Sequence, residues 1–412
     1  MTWTPRPIDP AELPAVLDLL ARGFGVGPTS PPDHQAEVQA VAEIDRLLVV
    51  EDGGVIVATA AAHSLHVALP GGAVPMAGVT EVVVSPTHRR RGLLSALLEG
   101  IHDQALERDE PLSGLTASEG GIYRRFGYGV AARYQSVRVD ARRAAEIEPL
   151  DPDGDPGGRF RFVTEDEAAA VLPAVWDRHW RRTPGEIDRT PGFWAEARLD
   201  PQHARAGASA RYIVVHEDAA GHADGYVTYR IAQDWGVGGT NHEARVLEVA
   251  AANDAVEAAL VRFVLDIDLV GVVKWNAPVD VPLRWRLADP RALTVTAEGD
   301  LLWFRPLDVA ACLAARRYAA DGELVVDVVD GRRPVGGTFL LVAEGGGAEC
   351  TRTDRPADIG VTIADLGSLL AGGTTWATLR RAGRLRLADG AATDRADALF
   401  RPERAASCVT EF

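Results

Sequence analysis

Cysteine is scarce: Cys312, Cys350 and Cys408 are the only three in 412 residues, all in the last quarter and in no metal-ligand or redox spacing. That excludes a disulfide scaffold and a cysteine-built zinc site, and a reduced cytoplasmic protein is expected. Long apolar runs are missing too, since none approaches the ~20 residues of a membrane span, so no membrane partner is expected. Met1–Pro7 lacks the apolar core of a secretory leader. Positive charge is in deficit: 43 Lys and Arg against 59 Asp and Glu leave a formal charge of −16. That is the wrong sign for phosphate-rich partners, so no nucleic acid is expected. Histidines are few and form no ligand cluster. His63 and His66, three apart on a predicted strand, point to opposite faces and cannot share a metal, so none is expected.

What is present is an ordinary globular composition, 47% apolar and 25% charged, in a chain too long for one core. It is organised around Val79-Thr80-Glu81-Val82-Val83-Val84-Ser85-Pro86-Thr87-His88-Arg89-Arg90-Arg91-Gly92-Leu93-Leu94. The β-branched run predicts a strand that Pro86 stops. Leu93, Leu94, Leu97, Leu98 and Ile101 then follow at helical spacing. A strand, a basic glycine turn and a helix start aim backbone N–H groups and a positive dipole end at one spot, which suits phosphate. No Gly-Lys-Ser/Thr follows, so it is not a Walker loop, and the spaced glycines of a dinucleotide fingerprint are missing.

Ahead of this stretch, a helix is predicted over 11–22, another towards Glu43, and a hairpin of Leu47–Val50 with Val55–Leu65 turning at Asp52-Gly53-Gly54. Gly71-Gly72 predicts a further turn. Asp151–Gly158 reads as a linker of breakers and charge. Beyond it, Glu165–Trp180 reads as a helix, and Arg211–Val215 and Tyr226–Ile231 as strands. Arg245–Ala250 then leads into a helical Ala255–Phe263. This repeats the first half, but its turn, Ala251-Ala252-Asn253-Asp254, has no arginine or glycine, and its acid would repel a pyrophosphate. A third region predicts strands at Leu301–Phe304, Glu323–Val329 and Thr338–Ala343, and helices at Asp308–Arg317 and Asp365–Ala371. Three parts are therefore expected, at 1–150, 151–290 and 291–412.

Arg89-Arg90-Arg91-Gly92-Leu93-Leu94 after a Val-rich strand resembles the acetyl-coenzyme A signature of the GCN5-related N-acetyltransferases. Thr116-Ala117-Ser118-Glu119-Gly120-Gly121-Ile122-Tyr123 resembles that family's next strand–helix unit. With a chain ending Thr410-Glu411-Phe412, the whole is similar to the enhanced intracellular survival (Eis) branch. The resemblance implies an α+β fold: tandem acetyltransferase folds, the second without a cofactor site, then a sterol-carrier-like domain. It implies a hexameric homo-oligomer and transfer from acetyl-coenzyme A to an amine. The backbone of Val82, Val83 and Val84 would hold the pantetheine arm. Arg90, Arg91, Gly92, Leu93, Leu94 and Ser95 would hold the pyrophosphate, with Ser118 and Glu119 also in the cofactor site. Tyr123 is the implied proton donor and the terminal carboxylate of Phe412 the implied base.

Glu81 and Glu411 are expected at the acceptor. Glu81 stands where the Eis pattern has an aromatic residue. Simple alternation puts it on one face with Val79 and Val83, as an acceptor contact first, or as a rival base or an exposed acid. The early loop offers Asp33, Glu37 and Glu43 but not the tryptophan of the aminoglycoside-acetylating members, so aminoglycoside activity does not carry over from the resemblance, and the acceptor is read more broadly as a cationic amine: aminoglycoside-like, a polyamine or a lysine side chain. A non-catalytic acyl-coenzyme A or lipid-binding protein is the second reading.

Overall fold

The computed structural model describes residues 3–25, 42–144, 156–237, 240–388 and 391–412. The helix expected before Glu43 and most of the Asp151–Gly158 linker lie outside these residues. In chain order the strands are β1 (Arg6–Pro7), β2 (Leu48–Asp52), β3 (Val55–Leu69), β4 (Gly72–Val84), β5 (Leu112–Thr116), β6 (Gly129–Val130), β7 (Arg133–Asp140), β8 (Arg159–Phe162), β9 (Tyr212–Glu217) and β10 (Ala223–Ala232). They continue as β11 (His242–Ala251), β12 (Val270–Pro278), β13 (Leu293–Asp300), β14 (Leu302–Pro306), β15 (Gly322–Val329), β16 (Gly337–Glu344), β17 (Gly347–Arg352), β18 (Ile359–Thr362) and β19 (Arg386–Leu387).

Two compact units emerge. One joins residues 1–132, 184–196 and 300–412; the other joins 133–183 and 197–299. In the first unit one sheet runs β1-β2-β3-β4-β5-β14-β6. The β2–β3 hairpin turns where Asp52-Gly53-Gly54 predicts it. The helix Leu93–Glu107 packs Leu93, Leu97, Leu98 and Ile101 onto Ala58, Ala60 and Val79. Alanines on β3 let a leucine-rich helix seat closely, burying ~1.5–3 kcal/mol of apolar side chain per leucine. The helix Leu13–Phe24 packs Val16 and Leu20 with Val49, Ala61 and Val83. The strand read at Leu301–Phe304 forms, but its partners are β5 and β6 of this sheet. A second sheet, β17-β16-β15-β18-β19, closes the sterol-carrier-like part. Its helix Ile363–Leu370, buried throughout, lies against β14 and β6.

The second unit repeats the plan in a sheet ordered β13-β7-β12-β11-β10-β9-β8. The helix Asp254–Leu265 stands where the first unit has Leu93–Glu107, burying Val256, Leu260 and Val264 among Val137, Val227 and Trp275. Its N-terminus is closed by its own Asn253, whose side chain accepts from Val256 N–H at 2.9 Å, and its first turn carries Asp254 and Glu257. An anion gains nothing there.

Candidate active site

The site starts from a register slip. β3 and β4 pair as Ala58↔Val84 and Thr59↔Val83, then as Ala61↔Thr80, so Glu81 and Val82 together oppose Ala60. Glu81 takes φ 53°, the left-handed region where a non-glycine residue is uncommon. This corrects the expected alternation: Val79 shares its cluster with Val82 and Val84, while Val83 turns to the helix Leu13–Phe24. The bulge inverts the parity of every side chain beyond it. Glu81 sits half-buried at the kink.

The same kink opens the sheet. β4 and β5 run parallel from Met76↔Leu112 to Val79↔Leu115, where their pairing ends, yet β4 continues to Val84. Among the described residues, no strand pairs with the edge of Val82–Val84 that faces away from β3. Backbone groups left this way accept an extended amide-bearing ligand as readily as a strand.

Beyond Pro86 the turn is pinned from below. Asp52 takes His88 Nε2 at 3.1 Å and Arg91 at 3.5 Å, and Trp3 Nε1 donates to the Arg91 carbonyl at 2.8 Å. Arg91 is therefore partly engaged in holding the turn, whereas Arg90 is exposed at φ 63°. Gly92 stands at φ 90° as the N-cap of Leu93–Glu107, with no side-chain cap and nothing within 4 Å of where a Cβ would be. Leu93 anchors the helix in the core, and Leu94 and Ser95 are half-buried beside it. The first amides of this helix have no side-chain cap, unlike those closed by Asn253. That contrast is the fit expected of a pyrophosphate cradle.

At the end of β5, Thr116 leads through Ala117 to exposed Ser118 and Glu119 and the single turn Gly120–Tyr123. Tyr123 is 6% exposed and meets Tyr128 edge-on with centroids 6.1 Å apart. Burial, then the neighbouring Glu119 charge, raises its pKa, so the phenol keeps its proton. Tyr128 beneath it lies 2.7 Å from Ser113 Oγ and 2.9 Å from His102 Nε2. Burial holds His102 well below the ordinary histidine pKa, so it is neutral.

The chain end comes to the same place. Thr116 Oγ1 donates to a Phe412 carboxylate oxygen at 3.2 Å. The Phe412 ring lies over Gly78, where a Cβ would stand 3.0 Å from Cε2 and 2.6 Å from Leu65 Cδ1. A side chain there would displace Leu65 Cδ1 and press on the terminal ring. Phe412 belongs to the cluster of Leu65, Met76 and Leu112 on one face of the sheet, and Tyr123 to that of Val79 and Leu115 on the other. The β4–β5 split lies between them. Glu411, next to Phe412, is exposed.

The sequence pattern marks no role for Gly78, names Thr116 only within the family-like stretch, and presents His63 only as a rejected metal ligand. His63 pairs with Gly78 in register, which puts it on the Phe412 face. Its ring packs edge-on to Phe193 at 5.2 Å, its Nδ1 is buried without a hydrogen bond, and burial lowers its pKa to about 4. His66, by contrast, is exposed and bonds Asp188 at 3.0 Å. No group of His, Cys, Asp and Glu able to hold a metal occurs among the described residues. Among them, too, no helix is long and apolar enough to cross a membrane. Glu43 is engaged with Ser64, taking its N–H at 2.6 Å and its hydroxyl at 2.8 Å, while Asp33 and Glu37 lie outside the described residues.

Comparison with known proteins shows the family. Acetyltransferase (GNAT) domain models match residues 4–131 and 185–305, and a sterol carrier protein domain model matches 309–409. An uncharacterized N-acetyltransferase of Streptomyces avermitilis is 37% identical over 92% of each chain. N-acetyltransferase Eis of Mycobacterium bovis is 34% identical over 92% of this chain and 93% of its own. The crystal structure of Eis1 from Mycobacterium abscessus superposes with a TM-score of 0.86 at 32% identity over the full length of both. Such relatives favour an enzyme over a non-catalytic binding protein. The chain belongs to the Eis family of GCN5-related N-acetyltransferases and is an N-acetyltransferase.

Proposed function

We propose that the protein transfers the acetyl group of acetyl-coenzyme A to a primary amine of a small cationic acceptor: an aminoglycoside-like molecule, a polyamine or a lysine side chain. The observation that carries this reading is the chain end brought to Thr116, beside a split sheet whose Val82–Val84 edge lies open. Residues 1–150 do the chemistry, 151–290 form a repeat without a cofactor site, and 291–412 supply the terminal carboxylate.

Val82, Val83 and Val84 would pair with the pantetheine amides. The N–H groups of Leu93, Leu94 and Ser95, with Arg90 and Arg91 at the Gly92 turn, would take the pyrophosphate, and Ser118 and Glu119 border the same groove. The thioester supplies an activated acetyl group on a good leaving thiolate. In the net reaction an N–C bond forms, the C–S bond breaks, the amine loses a proton and the sulfur gains one. Tyr123 holds the proton destined for sulfur, and its raised pKa keeps it loaded at neutral pH. The Phe412 carboxylate faces the amine. A free carboxylate and an alkylammonium differ by ~6 pKa units, or roughly 9 kcal/mol, so direct full transfer is too costly. The carboxylate therefore orients the ammonium and takes its proton late or through water. Glu81, at the bulge, adds negative charge for the acceptor, with Glu411 next to the terminus. The free thiols of Cys312, Cys350 and Cys408 support a cytoplasmic setting, and the family resemblance supports a homo-hexamer.

The test is thiol release from acetyl-coenzyme A across a panel of amines. Release that depends on a cationic amine supports the reading; no release with any amine sinks it.

A further inference from the structure

Chain ends fray unless something ties them down, and here the last residue is asked to hold a reacting amine. The segment after the helix Glu165–Arg182 supplies a tie. Gly185 N–H donates to the Ala68 carbonyl at 2.8 Å, Ala68 N–H to the Glu186 carbonyl at 2.8 Å, and Asp188 N–H to the His66 carbonyl at 3.0 Å. Glu186 is thereby fixed on β3. Its side chain is 1% exposed, where a carboxylate is unfavourable unless hydrogen bonds surround it.

Ile187 N–H donates to Oε1 at 3.2 Å, and the tail adds further bonds. Glu186 Oε2 accepts Val409 N–H at 2.9 Å, and Oε1 accepts the Thr410 hydroxyl at 3.1 Å and the Cys408 thiol at 3.5 Å. The Thr410 oxygen in turn accepts from Arg189 Nε at 3.1 Å and Nη2 at 2.9 Å. Ser407 N–H donates to the Pro184 carbonyl at 2.8 Å. Four consecutive residues, Ser407 to Thr410, are thus gripped by Pro184–Arg189, and only Glu411 and Phe412 project beyond the grip.

We infer that Glu186, with Arg189 acting through Thr410, is a positioning residue that holds the Phe412 carboxylate in the active site. The inference rests on the reading of Phe412 given above. Two residues span at most ~7 Å, so a grip at Thr410 fixes the terminus closely, whereas a loose tail would sweep it across the acceptor. A carboxylate is needed because Val409, Thr410 and Cys408 present only donors to it. Glutamine would set an NH2 group against one of them.

The test uses the full chain and three variants, Glu186→Gln, Glu186→Asp and Thr410→Val, with two readouts. One is the rate at which a carboxypeptidase that prefers aromatic ends releases Phe412 from the folded protein. The other is kcat against the KM for acetyl-coenzyme A. Glu186→Gln should speed release and lower kcat by ~10-fold each, with that KM unchanged. Thr410→Val should move both in the same direction by less, and keeps the idea testable if Glu186→Gln misfolds. Glu186→Asp should recover part of the lost kcat, which a packing role would not. Phe412 release at the native rate in both Glu186→Gln and Thr410→Val would overturn the inference. So would full kcat in Glu186→Gln when a chain extended beyond Phe412 is inactive. Full activity of that extended chain would instead overturn the role of Phe412 itself.

Discussion

Appending Gly-Gly after Phe412 is the perturbation whose size follows most directly from the structure. The Phe412 carbonyl oxygen still accepts from Thr116, and the ring can still cover Gly78, because neither contact needs a free carboxylate. What moves is the charge, carried by up to ~7 Å of added chain. An ammonium ~4 Å from a carboxylate is stabilised by about 4 kcal/mol at an effective dielectric of ~20, falling to about 1.5 kcal/mol at ~11 Å. The difference, ~2.5 kcal/mol, corresponds to roughly 70-fold in rate. Loss of the proton acceptor and crowding of the acceptor pocket add to it. The extended chain should therefore lose ~10²-fold or more in kcat/KM for a cationic amine. Coenzyme A affinity by calorimetry and the unfolding temperature should not change, since the cofactor edge at Val82–Ser95 is untouched. Deleting Phe412 should cost less, because Glu411 then carries a carboxylate ~3.5 Å short of the native one. Native turnover in the extended protein would refute the reasoning and leave Glu81 as the base to test.

Tyr123→Phe should lower kcat by ~10²-fold with unchanged stability, because the ring keeps its packing and loses only the donor; native turnover would make the tyrosine structural. Arg90→Glu, or Gly92→Val at φ 90°, should weaken coenzyme A binding by ~10-fold without unfolding the protein, as titration calorimetry would show. His63 gives a pH prediction. Its folded pKa is depressed to about 4, so folding favours the neutral ring. That stabilisation is complete above pH ~6.5 and is lost as pH falls towards about 4, roughly 3 kcal/mol in all. Unfolding temperatures measured down this range should fall less steeply for His63→Leu than for the native chain; equal slopes would refute the assignment.

The strand–turn–helix at Val79–Leu98 was legible because its signals are local: a β-branched run, Pro86 as a stop, and leucines at helical spacing. The Asp52-Gly53-Gly54 hairpin was legible for the same reason. The bulge was not, since a valine run reads alike with or without a one-residue slip, and it is the slip that redistributes Val79, Val82 and Val83. The placement of β14 between β5 and β6 is also invisible locally, because Leu302–Pro306 reads as a strand whichever sheet it joins. The roles proposed for Tyr123 and Phe412 come only from the family resemblance; by residue type alone they are a core aromatic and a chain end. The bond from Glu186 to Val409 spans 223 residues, and no period or motif marks either partner.

The most direct measurement is a crystal structure of the protein with coenzyme A. Pantetheine is expected along Val82–Val84 in the β4–β5 split and the pyrophosphate on the amides of Leu93–Ser95 beside Arg90. The sulfur is expected close to the Tyr123 hydroxyl, with the Phe412 carboxylate across the split. A ligand lodged in the sterol-carrier-like part, or a sulfur remote from both Tyr123 and Phe412, would contradict this arrangement.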